Sequence, residues 1–287
     1  MQPMSNAPGV DRRPAELYLQ LMRGCLTRSV FGERYRTLRR PVRVGKRSRP
    51  IWALQRVADA VLKKWNLEIV EQVKFNPADC EEGGRWPAEA ETMVGLKRLE
   101  NIEYCVRTVL HDGIEGDFIE TGVWRGGAAI YMLAVLRACS DESRHVWLAD
   151  SFEGLPKPDP KNAADAGDIH WMANHILAVS MDEVQHNIEK YGLMSERVHF
   201  LKGWFRDTLP AAPIERLALM RLDGDMYGST MDTLNNLYPK LVSGGFCIID
   251  DYALNGCRQA VDEFRAKHSI TEEMVRVDHT AVFWRKI

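Results

Sequence analysis

The chain has 287 residues, enough for one large domain or two small ones, and its 45% apolar and 27% charged residues are ordinary for a soluble globular protein. A formal net charge of −2 advertises neither nucleic acid nor an anionic membrane surface as a partner, and no apolar run reaches the roughly 18–20 residues a membrane-spanning helix needs. The opening Met1-Gln2-Pro3-Met4-Ser5-Asn6 lacks a secretory pattern and the cysteines form no C-x-x-C pair, so reduced thiols and a cytoplasmic location are expected.

From Pro14 to Leu26 the residues Leu17, Leu19, Leu21, Met22, Cys25 and Leu26 recur near helical spacing and predict a first helix. A basic stretch follows from Arg34 to Arg49. With Tyr35 its one interleaved aromatic, it reads as a solvated connector or oligomer contact rather than a nucleic-acid surface. Residues Ile51 to Val73 predict a second amphipathic helix, and Asn76-Pro77 and Gly83-Gly84-Arg85-Trp86-Pro87 a turn-rich linker. Residues 1–87 are therefore expected to form a helical N-terminal extension, as an oligomer contact or a cover for the site.

From Ala88 onward strands and helices alternate. A helix over Met93 to Leu110 precedes a strand at Asp117 to Glu120, a glycine-rich turn, and a helix from Ala128 to Ala138. His145 to Ala149 is the second strand, stopping at Asp150. An insertion, residues 152–179, breaks the rhythm with Pro156, Pro158 and Pro160. After a helix over Met181 to Tyr191 come strands at Arg197 to Leu201, Leu217 to Leu222 and Phe246 to Ile249. A helix from Asn255 to Lys267 and a terminal hairpin, Glu273 to Val277 with Ala281 to Arg285, complete the chain. This pattern predicts an α/β fold: a doubly wound, Rossmann-like sheet of seven strands with an antiparallel hairpin on one edge.

Three carboxylates stand out. Asp223 and the pair Asp250–Asp251 each follow an apolar, strand-like run. If those runs are parallel neighbours, the acids emerge at the carboxyl edge of the sheet, where open α/β folds bind ligands. Clustered carboxylates repel one another until a cation neutralises them, and an oxygen-only set suits a hard ion such as Mg²⁺. Acids after strands also serve as helix N-caps, which explains one of them but not three at two strand ends.

The turn Glu120-Thr121-Gly122-Val123-Trp124-Arg125-Gly126-Gly127 is not G-x-G-x-x-G. Glu120 suits a cationic group better than a pyrophosphate, and Asp150 stands where such folds place an acid for ribose hydroxyls. A ligand with a ribose diol and an ammonium, S-adenosylmethionine, fits these features better than a dinucleotide. Gly203-Trp204-Phe205 offers aromatics to cover adenine or to pack in the core. Thr92 and Met93 either close over the methionine portion or serve as an N-cap and core filler.

Six ordered blocks carry a resemblance: Thr92 to Leu99, Phe118 to Gly127, Ala149 to Pro156, Gly203 to Pro210, Leu222 to Tyr227 and Asp250 to Tyr252. Over roughly Trp86 to the C-terminus the chain resembles the macrocin O-methyltransferase (TylF-like) family, class I S-adenosylmethionine-dependent enzymes that methylate sugar hydroxyls on antibiotic natural products. The resemblance implies a methyltransferase domain over residues 88–287, with residues 152–179 as a lid. It implies cofactor contacts at Thr92, Met93, Glu120, Gly122, Asp150, Ser151, Gly203 and Trp204. Asp223, Asp250 and Asp251 match the family's metal ligands, with Mg²⁺ usual, and Asp223 is the matching candidate for general base. His170, Trp171 and Tyr252 are the candidates for acceptor contacts, and a glycoside acceptor and a homodimer or higher homo-oligomer are the expected partners.

Two enzyme alternatives share parts of this pattern: a metal-dependent phenol or catechol O-methyltransferase, and an NAD-dependent oxidoreductase using Asp150, which lacks the glycine fingerprint. A non-catalytic nucleic-acid-binding module would have to rest on the basic stretch alone.

Overall fold

In a computed structural model, described here for residues 13–32, 35–37, 58, 60–67, 69–72, 74–83, 89–158, 164–165 and 169–287, helix α1 spans Arg13–Leu26. Its apolar face buries Leu19, Met22 and Leu26 in the same core cluster as helices that flank the main sheet. The expected second helix over Ile51 to Val73 is not one unbroken element. A helical turn gives out at Lys63–Trp65, where Asn66 takes a left-handed φ of 58°, and Val70–Gln72 (β2) pairs antiparallel with Tyr35–Thr37 (β1). Left-handed Asn is a common helix stop, and apolar spacing alone did not distinguish the two states. Most of the basic stretch and of the linker at 84–88 lies outside the described residues.

Helix α2 (Leu96–His111) begins three residues later than apolar spacing predicts. The Thr92 hydroxyl accepts from Val94 N at 3.1 Å, and Gly95 is extended, where a Cβ would meet Glu81 O at 2.3 Å. Residues Thr92 to Gly95 therefore stay out of the helix and run over the sheet edge.

The main sheet holds β3 (Asp117–Thr121), β4 (Val146–Asp150), β5 (Val198–Lys202), β6 (Leu217–Leu222), β7 (Leu241–Ile249), β8 (Val275–Arg276) and β9 (Val282–Arg285). Their order is β5-β4-β3-β6-β7-β9-β8, with β9 antiparallel to both β7 and β8 and the first five strands parallel. This is the seven-stranded doubly wound sheet with an antiparallel edge that alternation predicts. Side chains alternate across it: Phe118, Phe246 and Ile248 join one core, and Ile119, Cys247 and Ile249 the other. The first core is closed by α1, α2, α3 (Gly127–Ala138) and α4 (Met181–Lys190), the second by α5 (Tyr227–Leu237) and α6 (Asn255–Lys267). All six cysteines are free thiols, as reduced residues should be.

Candidate active site

The parallel register lines up the strand ends. Thr121 pairs with Leu222 and Leu222 with Ile249, so Gly122, Asp223 and Asp250 leave the sheet side by side. Main-chain bonds carry the alignment one residue further: Asp223 N donates to Thr121 O and Asp250 N to Leu222 O, both at 2.8 Å. Chain order reverses between β3 and β6, the switch point at which such sheets open a crevice. Gly122 (φ 87°) is required there because a Cβ would lie 1.7 Å from Asp223 O.

The crevice is a cavity of about 360 Å³. Met93, Gly122, Asp150, Ser151, Gly203 and Trp204 all line it, together with Asp223 and Asp225. Trp204 and Phe205, open between core and ligand in the sequence, face this space. Asp150 receives Val123 N at 2.7 Å and Phe152 N at 2.8 Å. Burial raises its pKa while these amides pull it back. Gly127, at the start of α3, lets Glu91 and Thr92 close in, since a Cβ would meet Glu91 O and Thr92 Cβ at 2.5 Å. Thr92 and Glu120 stand behind the cavity wall rather than in it.

On the other side of the switch point, one carboxylate oxygen each from Asp223, Asp250 and Asp251 lies within 4.8 Å of the others. The cluster has a support that sequence reading missed. Arg221, in the middle of apolar β6 and 1% exposed, donates to Glu120 at 2.7 Å, to Asp223 at 2.9 Å and to Asp250. Arg98 of α2 donates to Asp250, to Thr280 and, at 2.6 Å, to Asp278 in the terminal hairpin. Burial opposes both guanidinium charges, but the surrounding carboxylates outweigh it and raise both pKa values. The available signal was Arg221 itself: an arginine inside a fully apolar strand must find buried acids.

Arg221 pairs with Glu120, Asp223 and Asp250, Arg98 with Asp250 and Asp278, and Asp251 adds a further carboxylate beside Asp223 and Asp250, so the acids outnumber the guanidiniums. Burial pushes Glu120 up to about 8, against the pull of Arg221. Asp223 and Asp251 are also raised, first by burial and then by carboxylate neighbours. Glu120 Oε2 is buried without a hydrogen-bond partner. An oxygen-only cluster with surplus negative charge suits a hard divalent ion, so the donor set fits Mg²⁺. A second group, Glu82, Asp278 and His279, is already tied to Lys97 and Arg98.

The insertion meets this cavity through Gly154, Leu155, Pro156, Lys157 and Asp165. Trp124 Nε1 donates to Ile176 O at 3.0 Å, and the Asn174 amide holds Leu155 through N and O, both at 2.8 Å. His170 and Trp171 lie outside the cavity lining, Trp171 under the Lys157 ammonium at 5.6 Å, and Asp168 is outside the described residues. Tyr252 donates to Asp262 on α6 at 2.7 Å and does not line the cavity either. Asp225 lines the cavity with a left-handed φ of 54°, and the N-cap position of the helix that follows is Met226.

The family pattern of macrocin O-methyltransferase (TylF) matches residues 15–286. The resemblance therefore reaches upstream of Trp86 and takes in α1. A tetracenomycin rhamnoside 4'-O-methyltransferase from Streptomyces olivaceus is 54% identical over 204 residues, 71% of this chain and 78% of that protein. The mycinamicin III 3''-O-methyltransferase of Micromonospora griseorubida is 47% identical over 76% of this chain and 87% of its own length. Among solved structures, the O-methyltransferase NovP superposes with a TM-score of 0.79 at 41% identity, covering 95% of this chain and 99% of that one. The calicheamicin methyltransferase CalS11, at 15% identity and a TM-score of 0.55, shares the fold.

Proposed function

Because this chain belongs to the macrocin O-methyltransferase (TylF) family and is an S-adenosylmethionine-dependent O-methyltransferase, we propose that it methylates a sugar hydroxyl of a glycosylated natural product with the help of Mg²⁺. The observation that carries this reading is Asp223, which belongs both to the cavity wall and to the acid cluster. One carboxylate thus touches the space for a cofactor and acceptor and the place for a metal.

S-adenosylmethionine, when bound, supplies a methyl group on a sulfonium that departs as a neutral thioether, so the weak point of the reaction is the hydroxyl nucleophile. In our reading Asp150 and Ser151 face the ribose diol, Trp204 offers its ring to adenine, and Met93 and Gly122 border the methionine portion. Thr92 and Glu120 support that wall from behind. Asp223, Asp250 and Asp251 would hold Mg²⁺, which lowers the pKa of a bound hydroxyl and aligns it. Asp223 takes the proton as transfer proceeds, a contribution of about 10²–10⁴ for a positioned base. Lys157, stacked on Trp171, borders the cavity from the insertion and is the residue there placed to meet an acceptor.

The rhamnosyl acceptor in the name of the 54%-identical relative favours a sugar over a phenol. We further propose that the N-terminal region, residues 1–87, mediates self-association of a cytoplasmic homo-oligomer. The exposed apolar residues Leu17 and Leu21 of α1 support this.

The test is a mass-spectrometric methylation assay offering a rhamnosylated aromatic polyketide and a simple catechol in parallel, with S-adenosylmethionine and Mg²⁺. Transfer of one methyl to the sugar, stopped by excess EDTA and restored by Mg²⁺, is the expected outcome. Methylation of the catechol alone would favour the phenol reading, and full activity in EDTA would remove the metal.

A further inference from the structure

We propose that Asp165 is a positioning residue: a carboxylate of the insertion that caps α5 from outside its own segment and so fixes the Asp223–Asp225 turn against the insertion. Helix α5 starts at Tyr227, directly after that turn. Its N-cap position is Met226, and no side chain at that position caps the helix. First-turn amides need an acceptor, and a carboxylate also suits the positive end of the helix dipole. Asp165 Oδ1 accepts from Tyr227 N at 2.7 Å and Oδ2 from Gly228 N at 3.3 Å, although the two segments lie more than sixty positions apart, with separations of 62 and 63.

The fit is close on every side. Asp165 is 3% exposed, and a carboxylate so buried is tolerated only when hydrogen-bonded. Gly256, in the first turn of α6, leaves the room it needs: a Cβ there would lie 2.7 Å from Asp165 Oδ1 and 3.0 Å from Tyr227 N. Asp165, Asp225 and Gly228 line the same cavity. The turn is pinned at its other end too, where Asp225 N donates to Asp251 Oδ2 at 3.2 Å. Asp251 and Asp165 therefore hold the two ends of the segment that presents Asp225, a non-glycine residue in left-handed backbone. This deepens the proposed function and rests on its reading of Asp223, Asp250 and Asp251 as metal ligands.

The experiment compares full-length wild type, Asp165→Ala, Asp165→Asn and Gly256→Ala, each bound to S-adenosylhomocysteine. Hydrogen exchange is read at Tyr227, Gly228 and residues 169–179, and Mn²⁺ is titrated as the probe ion by electron paramagnetic resonance. Losing one cap is worth about 1 kcal/mol, so Asp165→Ala should speed exchange at Tyr227 and Gly228 by about fivefold to tenfold. It should speed exchange across 169–179 as well and weaken Mn²⁺ binding. Asp165→Asn keeps an acceptor and should restore most of all three. Gly256→Ala leaves the carboxylate in the chain but crowds it, and should move the three readings in the direction of Asp165→Ala. Unchanged exchange at Tyr227 and Gly228 in Asp165→Ala would overturn the proposal. So would faster exchange there with 169–179 and Mn²⁺ affinity as in wild type, or an Asn variant no better than Ala. A wild type that binds no Mn²⁺ would refute the metal reading instead, leaving the exchange data to judge the cap.

Discussion

The two halves of the site, the cavity wall and the acid cluster that shares Asp223 with it, are built by different means. At the ends of β3, β4 and β5 the wall is built from backbone: Asp150 is held by the amides of Val123 and Phe152, and Gly122 and Gly127 admit neighbouring backbone. At the ends of β6 and β7 the acids are held by arginine side chains, Arg221 from within β6 and Arg98 from α2. The backbone-built half needs few charged partners. The arginine-built half concentrates negative charge and holds it in place, which suits a cation site and the chemistry beside it.

That division predicts separable failures. The largest concerns Asp223→Asn. It should cost about 10²–10⁴ in turnover while calorimetry finds S-adenosylmethionine affinity within about twofold of wild type, because the proposed cofactor contacts lie on other strands. Equal loss of binding and turnover would erase the distinction between the halves. Next comes Arg221→Met, which leaves Glu120, Asp223 and Asp250 without their shared guanidinium. Breaking one member of a buried ion cluster typically costs about 3–5 kcal/mol, to be read by urea unfolding. A loss under about 1 kcal/mol would mean that the acids hold themselves, by sharing protons.

The two halves also differ in how legible they were. The doubly wound parallel sheet and its edge hairpin follow from alternation, and the turn around Gly122 and the acid that ends β4 are continuous motifs whose chemistry sits within a few residues. The acids Asp223, Asp250 and Asp251 were readable because each follows an apolar run. Their supports were not. Arg98 reads as a surface residue of an amphipathic helix, Asp278 as part of a hairpin turn, and Asp165 as a polar residue in a proline-bearing insertion. Only tertiary contact gives them partners. The strand at Val70–Gln72 was missed for the reason given by Asn66, a single left-handed residue inside a pattern that still looked helical.

A third variant approaches the comparison from the other side. Asp150→Asn keeps an acceptor for Val123 N or Phe152 N but removes the charge offered to a ribose diol. A hydrogen bond to a charged group is worth about 1.5–3 kcal/mol, so cofactor affinity should fall by about tenfold or more. Turnover at saturating S-adenosylmethionine should stay within about threefold of wild type. Asp150→Asn and Asp223→Asn would then move different constants, and a common effect on both constants would unite the halves.

The smallest effect expected is that of Arg98→Lys. The guanidinium of Arg98 spans Asp250, Asp278 and Thr280, which ties α2 and the terminal hairpin to the acid cluster. An ammonium keeps the charge but not the planar fork, so one or more of the three bonds must go. Loss of the Thr280 bond alone, the ammonium keeping both carboxylates, corresponds to about 1.5 kcal/mol, the low end for a bond to a charged group, and for a domain of this size to a fall in Tm of about 3–6 °C. Because Met93 and Thr92 lie five and six positions upstream of Arg98, just before α2 begins, the informative measurement is cofactor affinity alongside Tm. Stability should drop while S-adenosylmethionine binding holds, since the residues flanking Thr92 to Gly95 are held by main-chain bonds, Gly127 N to Glu91 O and Lys97 N to Glu81 O, that do not involve the Arg98 side chain. If binding falls together with Tm, the arginine pillar reaches into the backbone-built half and the two walls are one structure.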